Sequence, residues 1–505
     1  MATYKEITDF LIIHYQGSFE LYIKKKSSDD LSLASVKDQT YLIGYKENVN
    51  NNSITDGEFI KIVVKDKKYE LKNDYYGALS IYKVIEDKVV YFSTSLPAIL
   101  GKLDKSISLD YDRLHRYFAF GYQLLEDKSH FDKVEVLQEP INIKYEQGKL
   151  SIHRIERDNM FANPGSPSFE ENYQKLESAI LRKISKVDRN KMLFCMTGGK
   201  DSILSGLVLR KNKYFLNTGT FGDRDSMDLK FGKIRTHEIL KSKHNSYCVD
   251  DLHLDTNDFF RHANFQSGFG TFGSIYFTKY FEEISKLGIT HVLFSDHYEA
   301  TRQMPRTISD IRKKYFTPPQ VVNEYFLDKE SYGNSIERTM DMIEPKYGEN
   351  AVEKWYFFDR NVRGQQWKSP LTRNLGLTKI NLAYDYEWIN TNYNYLKNHG
   401  FIYEKMMKYL LHESGLDGRL LTSDFNPIEK DIAISPQLMV YQNSTFFLEL
   451  LDFALGYDIA KVFDINKLIF RIQNRELADK DEWFILRLLN LIAFSNQKNM
   501  SLNFS

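Results

Sequence analysis

Residues 1 to about 155 carry their apolar positions in short runs of strand length. Phe10-Leu11-Ile12-Ile13, Tyr41-Leu42-Ile43-Gly44-Tyr45, Ile60-Lys61-Ile62-Val63-Val64, Ala78-Leu79-Ser80-Ile81-Tyr82 and Val89-Val90-Tyr91-Phe92-Ser93 are β-branched or aromatic and are separated by turn residues. One helix is expected from Leu109 to Phe120, opened by Ser108 and carrying Leu114, Tyr117 and Phe118 at helical spacing. Ile141–Tyr145 and Leu150–His153, joined by Glu146-Gln147-Gly148-Lys149, predict a hairpin. Phe161 to Pro167, with two prolines and a glycine, reads as a linker.

From about residue 170 helices alternate with strands. Helices are expected near Glu170–Ile184 and Ser274–Leu287, and strands at 192, Tyr214–Thr220, Ser246–Asp250 and Thr290–Phe294. Such alternation predicts a doubly wound parallel sheet, whose ligands lie at the carboxyl ends of its strands. Beyond about 310 the pattern turns helical, with helices at Val352–Gln366 and Tyr403–Glu413 and a tail from Phe446 to Phe494 whose apolar face predicts packing.

Composition narrows the classes. The 505 residues carry 68 Lys+Arg and 68 Asp+Glu, so no net charge speaks for a nucleic-acid partner. Cys195 and Cys248 are the two cysteines; they build neither a disulfide framework nor a zinc quartet and read as small buried hydrophobes in a reducing cytoplasm. No signal pattern opens the chain, and no apolar stretch approaches the ~20 residues of a membrane span, so a cytoplasmic protein without membrane association is expected.

The chemistry concentrates where the strand ending at Cys195 meets Thr197-Gly198-Gly199-Lys200-Asp201-Ser202 and an apolar helix. Backbone amides at such a strand–turn–helix junction converge on an anion. The glycines permit close approach and positive φ, while the Ser202 hydroxyl suits a helix cap or a phosphate oxygen. Lys200 runs into Asp201 where a Walker loop requires Lys-Ser or Lys-Thr. An acid in an anion cradle calls for a bridging cation, which makes Asp201 a candidate Mg²⁺ ligand. Asp296 and Glu299, three apart after the strand at 290, supply two further carboxylates on the same edge.

With these residues the chain resembles the asparagine synthetase superfamily, specifically a glutaminase-deficient branch similar to β-lactam synthetase and lasso-peptide macrolactam cyclase. Thr197–Ser202 matches the family's Ser-Gly-Gly-x-Asp-Ser loop, and Asp296 with Glu299 its later acidic pair, although the glycines around that pair are missing. Asp223–Leu229, Phe358–Arg363, Leu382–Asp385 and Glu404-Lys405 echo further family segments. Asn73–Gly77 and Tyr91–Leu100 follow the first domain's Asp-x-x-Gly and Phe-Ala-Ser-Glu patterns, and Leu114–Tyr122 its next helix. The resemblance implies an α/β protein: a degenerate Ntn-hydrolase-like αββα sandwich over 1–160, a doubly wound PP-loop domain of the adenine-nucleotide α-hydrolase type over 170–425, and a helical extension over 426–505 packed on it.

One departure matters for the chemistry. Glutamine-using members carry a catalytic cysteine directly after the initiator methionine; here position 2 is Ala2, which supplies no nucleophile. The implied reaction therefore keeps only its second half. A substrate carboxylate is adenylated by ATP with Mg²⁺, pyrophosphate leaves, and an amine takes the acyl group. The implied binding groups are Thr197, Gly198, Gly199, Asp201 and Ser202 for ATP and pyrophosphate, Asp201, Asp296 and Glu299 for the metal, and Lys405 for pyrophosphate or adenylate. Tyr298, Glu299, Asp359 and Tyr384 are open candidates for the base that deprotonates the amine, and Asp359, Arg363 and Tyr384 are expected at the substrate pocket. Arg360 and Arg363 equally suit helix ion pairs with Glu353 and Asp359. A catalytically silent scaffold and a PP-loop enzyme acting on tRNA are the competing readings.

Overall fold

A computed structural model describes residues 5–15, 18–26, 30–34, 38–46, 57–103, 106–121, 126–155, 157, 161, 165–296, 307–314, 319–400, 402–417, 420, 436–478, 481–498 and 500–504. Its first part is built of β1 (Lys5–Tyr15), β2 (Ser18–Lys25), β3 (Ser32–Leu33), β4 (Gln39–Lys46), β5 (Gly57–Lys65), β6 (Lys68–Asn73), β7 (Ile81–Glu86), β8 (Val89–Ser93), β9 (Ile107–Leu109), β10 (Val134–Leu137), β11 (Ile141–Glu146) and β12 (Lys149–Arg154). All but β9 join one mixed sheet in the order β10-β7-β8-β1-β4-β5-β6-β11-β12, with β2 and β3 branching from β1.

That sheet curls on itself. β1 meets β4 in parallel through Lys5 and Glu6 alone, then diverges to pair β8 and β2 antiparallel. The divergence turns Phe10, Ile12, Leu21 and Phe92 of one half toward Ile43, Ile60, Leu71 and Ile143 of the other, closing a buried core between them. Burial on both sides explains why β1 reads as an unbroken apolar run rather than an alternating one. Two helices, α1 (Leu96–Leu100) and α2 (Tyr111–Phe120), cover its second face. Helix α2 starts two residues later than expected, because Leu109 belongs to β9 and Asp110, rather than Ser108, accepts the Arg113 amide at 2.9 Å.

The second part holds β13 (Met192–Cys195), β14 (Thr218–Gly222), β15 (His244–Cys248), β16 (His291–Phe294) and β17 (Thr378–Asn381). They form an all-parallel sheet in the order β15-β14-β13-β16-β17. The order is that of a doubly wound sheet, expected from the alternation for β13 to β16, with its change of winding direction between β13 and β16; β17 is an addition that the alternation did not predict. Helices α3 (Phe169–Ser185), α4 (Lys200–Lys211), α5 (Met227–Arg235), α6 (Thr256–Phe265) and α7 (Ile275–Lys286) connect or cover the strands. The expected helix at Val352–Gln366 opens as an α-turn and widens into π-helix over Trp355–Val362. Helix Glu482–Gln497 is apolar nearly all round, with Ile485, Leu488, Leu489 and Ile492 fully buried, so it is a core helix rather than an amphipathic cover. After it β18 (Met500–Phe504) pairs with β9, tying the tail to the first part as well. The boundary expected at 425 and residues 162–164 of the linker lie outside the described residues. No helix among the described residues is long and apolar enough to cross a membrane.

The two sheets meet at β17. Lys379 Nζ lies 2.7 Å from Glu58 Oε1, and the Asn381 amide donates to Glu58 Oε2 at 3.2 Å; Glu58 and Lys379 are 3% and 6% exposed. Gly44 lets β4 lie close to β5 where Glu58 stands: it sits at φ +79, and a Cβ there would come within 2.1 Å of the Glu58 carbonyl oxygen. A charge left alone at such a seam is costly. Lys379→Met should lower stability by about 3–5 kcal/mol, and Glu58→Gln added to it should restore most of the loss, read from urea unfolding midpoints.

Buried histidines set the response to acid. Burial pushes His130 down to about 3, in a ring cluster with Tyr117 and Phe131 at 4.2 Å, and His262 down to about 4. Below pH 6.5 the unfolded chain protonates first, so stability held above that pH is lost as pH falls toward these values. His130→Phe should flatten the fall between pH 6 and pH 4 by about 1.4 kcal/mol per pH unit, measured by urea unfolding at each pH.

Candidate functional site

The Thr-Gly-Gly turn leaves β13 at its carboxyl end and becomes the first turn of α4. It stands beside the winding switch, and Ser295 at the end of β16 donates to Ser205 of α4 at 2.7 Å, fixing the two edges together. Gly199 occupies the N-cap with φ −72 and ψ 152, so its role is close approach rather than the left-handed backbone expected of it. A Cβ on Gly199 would meet Thr197 Oγ1 at 3.1 Å.

The loop's amides are bound to its own neighbourhood. The Thr197 amide donates to Ser202 Oγ at 3.2 Å and the Gly199 amide to Thr197 Oγ1 at 3.0 Å. Gly198 donates to the Asp228 carboxylate at 2.7 Å. Ser202 therefore acts inside the turn, and its hydroxyl also donates to the Gly199 carbonyl at 2.9 Å.

Helix α5 supplies both a negative and a positive clamp. Asp228 lies in its first turn and Arg235 in its last; Arg235 is fully buried and donates to the Thr197 and Gly198 carbonyls, the former at 3.3 Å. Gly232, four residues after Asp228 and three before Arg235, lies on the same helix face. A Cβ at Gly232 would come within 2.6 Å of the Met196 carbonyl oxygen, so this glycine lets α5 press onto the end of β13. Of these residues the sequence singled out only Asp228, within an acidic stretch; a D-x₃-G-x₂-R spacing was the available signal for the other two.

The expected ligands fall as follows. Asp201 stands in the first turn of α4, where a carboxylate suits the helix dipole, and accepts the Tyr403 hydroxyl at 3.0 Å. Asp296 follows β16 and pairs with Lys368 Nζ at 2.6 Å. His297, Tyr298 and Glu299 lie outside the described residues, as does Ala2. Among the described residues no group of three or more His, Cys, Asp or Glu is placed to hold a metal. Lys405 is exposed, with its ammonium 4.5 Å from the Phe169 ring centroid; Tyr403 is the residue of that helix that reaches the loop.

The expected substrate-pocket residues are core residues. Asp359 is fully buried, 2.8 Å from Arg363 Nη1 and accepting the Tyr347 hydroxyl at 2.6 Å. Arg363 is the Asp359 partner that the helix spacing allows, while Glu353 accepts from Tyr393 instead. Tyr384 is buried and donates to the Asn361 carbonyl at 3.3 Å, which removes it from any open pocket as a base. Burial, with Asp296 nearby, pushes the Cys195 thiol up to about 12, the behaviour of an inert thiol.

No family model matches the chain, and no curated protein does.

The clamp makes a prediction. Arg235→Met should leave the two loop carbonyls without their buried donor and cost about 2–4 kcal/mol. Amide hydrogen exchange over residues 197–202 should rise more than that of β14, which separates loosening of the loop from general destabilisation.

Proposed function

We propose that this protein is an ATP-dependent, AMP-forming ligase that activates a carboxylate as its acyl adenylate and passes the acyl group to an amine without hydrolysing glutamine. The observation that carries this reading is the Thr197–Ser202 turn at the switch point of a doubly wound sheet, with Asp201 on one side and Asp296 just after the neighbouring strand β16. Ala2, where the resembling family uses cysteine, supports an amine that does not come from glutamine.

The donor chemistry suits the implied substrates. Asp201 and Asp296 offer hard carboxylate oxygens of the kind that hold Mg²⁺, and the start of α4 offers a positive helix end for phosphates. Bound Mg²⁺ supplies charge neutralisation for departing pyrophosphate. The chain's own residues do the rest. Thr197 and Ser202 hydroxyls and the Gly198 and Gly199 amides turn from their internal partners to phosphate oxygens. Arg235 holds the turn in shape from beneath, and Tyr403 orients Asp201. The substrate carboxylate oxygen bonds to the α-phosphorus as the bond to pyrophosphate breaks; the amine nitrogen then bonds to the acyl carbon, AMP leaves, and the amine's proton passes to a base.

The test is ATP–pyrophosphate exchange across a panel of small carboxylic acids with Mg²⁺. Asp201→Ala should lower exchange by about 100-fold or more while leaving the urea midpoint close to wild type. Absence of exchange and of MgATP binding in the wild-type protein would establish the scaffold reading, and exchange that requires tRNA the tRNA-acting one.

A further inference from the structure

The amino ends of the parallel strands gather at the edge of the second sheet opposite the Thr197–Ser202 turn, and the segments that lead into them are basic. Lys186 caps α3, Arg189 and Lys191 lead into β13, Lys213 follows α4 on the way to β14, and Lys241 and Lys243 lead into β15. All six are exposed, and among the described residues none of them has a carboxylate partner. The segments are neighbours. The Thr218 amide donates to the Lys243 carbonyl at 3.0 Å, the Thr290 amide to the Lys191 carbonyl at 2.9 Å, and the Arg189 guanidinium lies 4.1 Å from the Tyr214 ring centroid.

Of the neighbouring acids, Glu177 pairs with Lys211 at 3.4 Å and Glu283 with Lys286 at 2.5 Å. Asp188 accepts the Asn190 amide at 3.0 Å, and Glu238 lies 3.1 Å from His237. The edge keeps a positive surplus that the chain's equal totals of acids and bases conceal. Helix dipoles account for a cation such as Lys186 at a helix C-terminus. Lys213 and Lys241 are different: they stand just past their helices at φ 57 and 47, the left-handed position where glycine is the low-strain residue. Lysine there projects an ammonium from a tight turn, with no partner in the chain to offset the strain. The edge is also apolar at two points, since Phe215 before β14 and Leu287 before β16 are 46% and 50% exposed.

We propose that this edge is a peripheral docking surface for an anionic membrane, contrary to the absence of membrane association expected from composition. The six cations lie against lipid headgroups, and Phe215 and Leu287 enter the boundary of the acyl chains. Cations at an anionic leaflet act additively as point charges, which suits ammoniums on long stems, and two apolar anchors add buried area at the interface. A nucleic acid fits less well. The guanidiniums of Arg189 and Arg210 already lie over Tyr214 and Phe215, at 4.1 and 5.7 Å, which competes with forked phosphate contacts and with open stacking rings, and Leu287 gives a base nothing to stack on. In this pose the Thr197–Ser202 turn, at the opposite ends of the strands, faces solvent.

Co-sedimentation of the full chain with vesicles tests this, comparing pure phosphatidylcholine with phosphatidylcholine containing about one-third phosphatidylserine, at about 0.1 M and about 0.5 M salt. Partitioning should be about tenfold stronger on the anionic vesicles and should fall at the higher salt. The double variant Lys213→Glu, Lys243→Glu should weaken it about tenfold, and Phe215→Ser about fivefold; each changes exposed side chains and should keep the wild-type Tm. The proposal is overturned if the wild-type protein does not bind anionic vesicles at the lower salt, if it binds both vesicles equally, or if either variant binds as tightly as wild type. Tighter binding to single-stranded RNA than to the anionic vesicles overturns it as well, in favour of a nucleic-acid partner. None of these readouts involves nucleotide turnover, so they stand or fall apart from ligase activity.

Discussion

The buried pair of Glu58 and Lys379 is the constraint on which the arrangement of the two sheets rests. Charges removed from water must be answered where they stand, and here one carboxylate answers both an ammonium and a backbone amide of β17. Because β17 pairs with β16 from His291 to Phe294, fixing β17 fixes the strand from which Asp296 emerges. Lys183 extends the lock, donating to the Asn381 carbonyl at 2.8 Å and to that of Tyr384, while Tyr45 of β4 donates to the Lys183 carbonyl at 3.1 Å. The turn after β17 is thereby held from α3 and from the first sheet together. Such polar seams contribute less to net stability than to register, since an apolar interface would tolerate sliding that these bonds do not.

The same logic operates at smaller scale around residue 197. A strand-to-helix turn leaves amides pointing outward, and this one satisfies them with its own hydroxyls and with Asp228. Helix α5 does this at two points because Gly232 allows it to lie against the end of β13, with Asp228 and Arg235 projecting from that face. The acid and the base have opposite tasks: one occupies an amide, the other holds the carbonyls whose orientation aims the amides.

What the sequence made legible follows from the range of the interactions. Four strands of the parallel sheet were readable from the helix–strand alternation, although β14 and β15 are displaced by a few residues from the expected Tyr214–Thr220 and Ser246–Asp250; β17, Thr-Lys-Ile-Asn, was not, since it carries no apolar run. The helix Tyr403–Glu413 matched its expected limits because its periodicity is strong. The curl of the first sheet was not readable, since it depends on β1 leaving β4 after two pairs, a tertiary event without a local signature. Ser108 was read as a cap although Asp110 was two residues away, because β9 takes its register from β18 almost 400 residues later. Asp201 and Asp296 were legible by type and spacing; Arg235, Tyr403 and Lys368 were not, since each acts on a partner from a distant element. The wide π-helical turn that buries Asp359 likewise removed from the surface a residue whose chemistry alone suggested a pocket.

The charge arrangement also bears on how the turn would accept phosphate under the proposed function. Asp201 and Asp228 are both carboxylates at the turn, whereas the nearest clamping cation, Arg235, is buried beneath it and already engaged with carbonyls. An anion approaching the Gly198 amide must displace Asp228 and then share the site with two negative side chains. The helix dipole offsets only about half a charge. A polyphosphate therefore gains net attraction only when a cation enters with it and sits between its oxygens and the carboxylates. Lys368 is committed to Asp296 at 2.6 Å, and a divalent metal brings two charges that oxygens of the carboxylates and of the phosphates can share. On these terms cation dependence is a consequence of the turn's own electrostatics, and the carboxylates that look misplaced in an anion cradle become the reason it would discriminate metal-bound nucleotide from free phosphate.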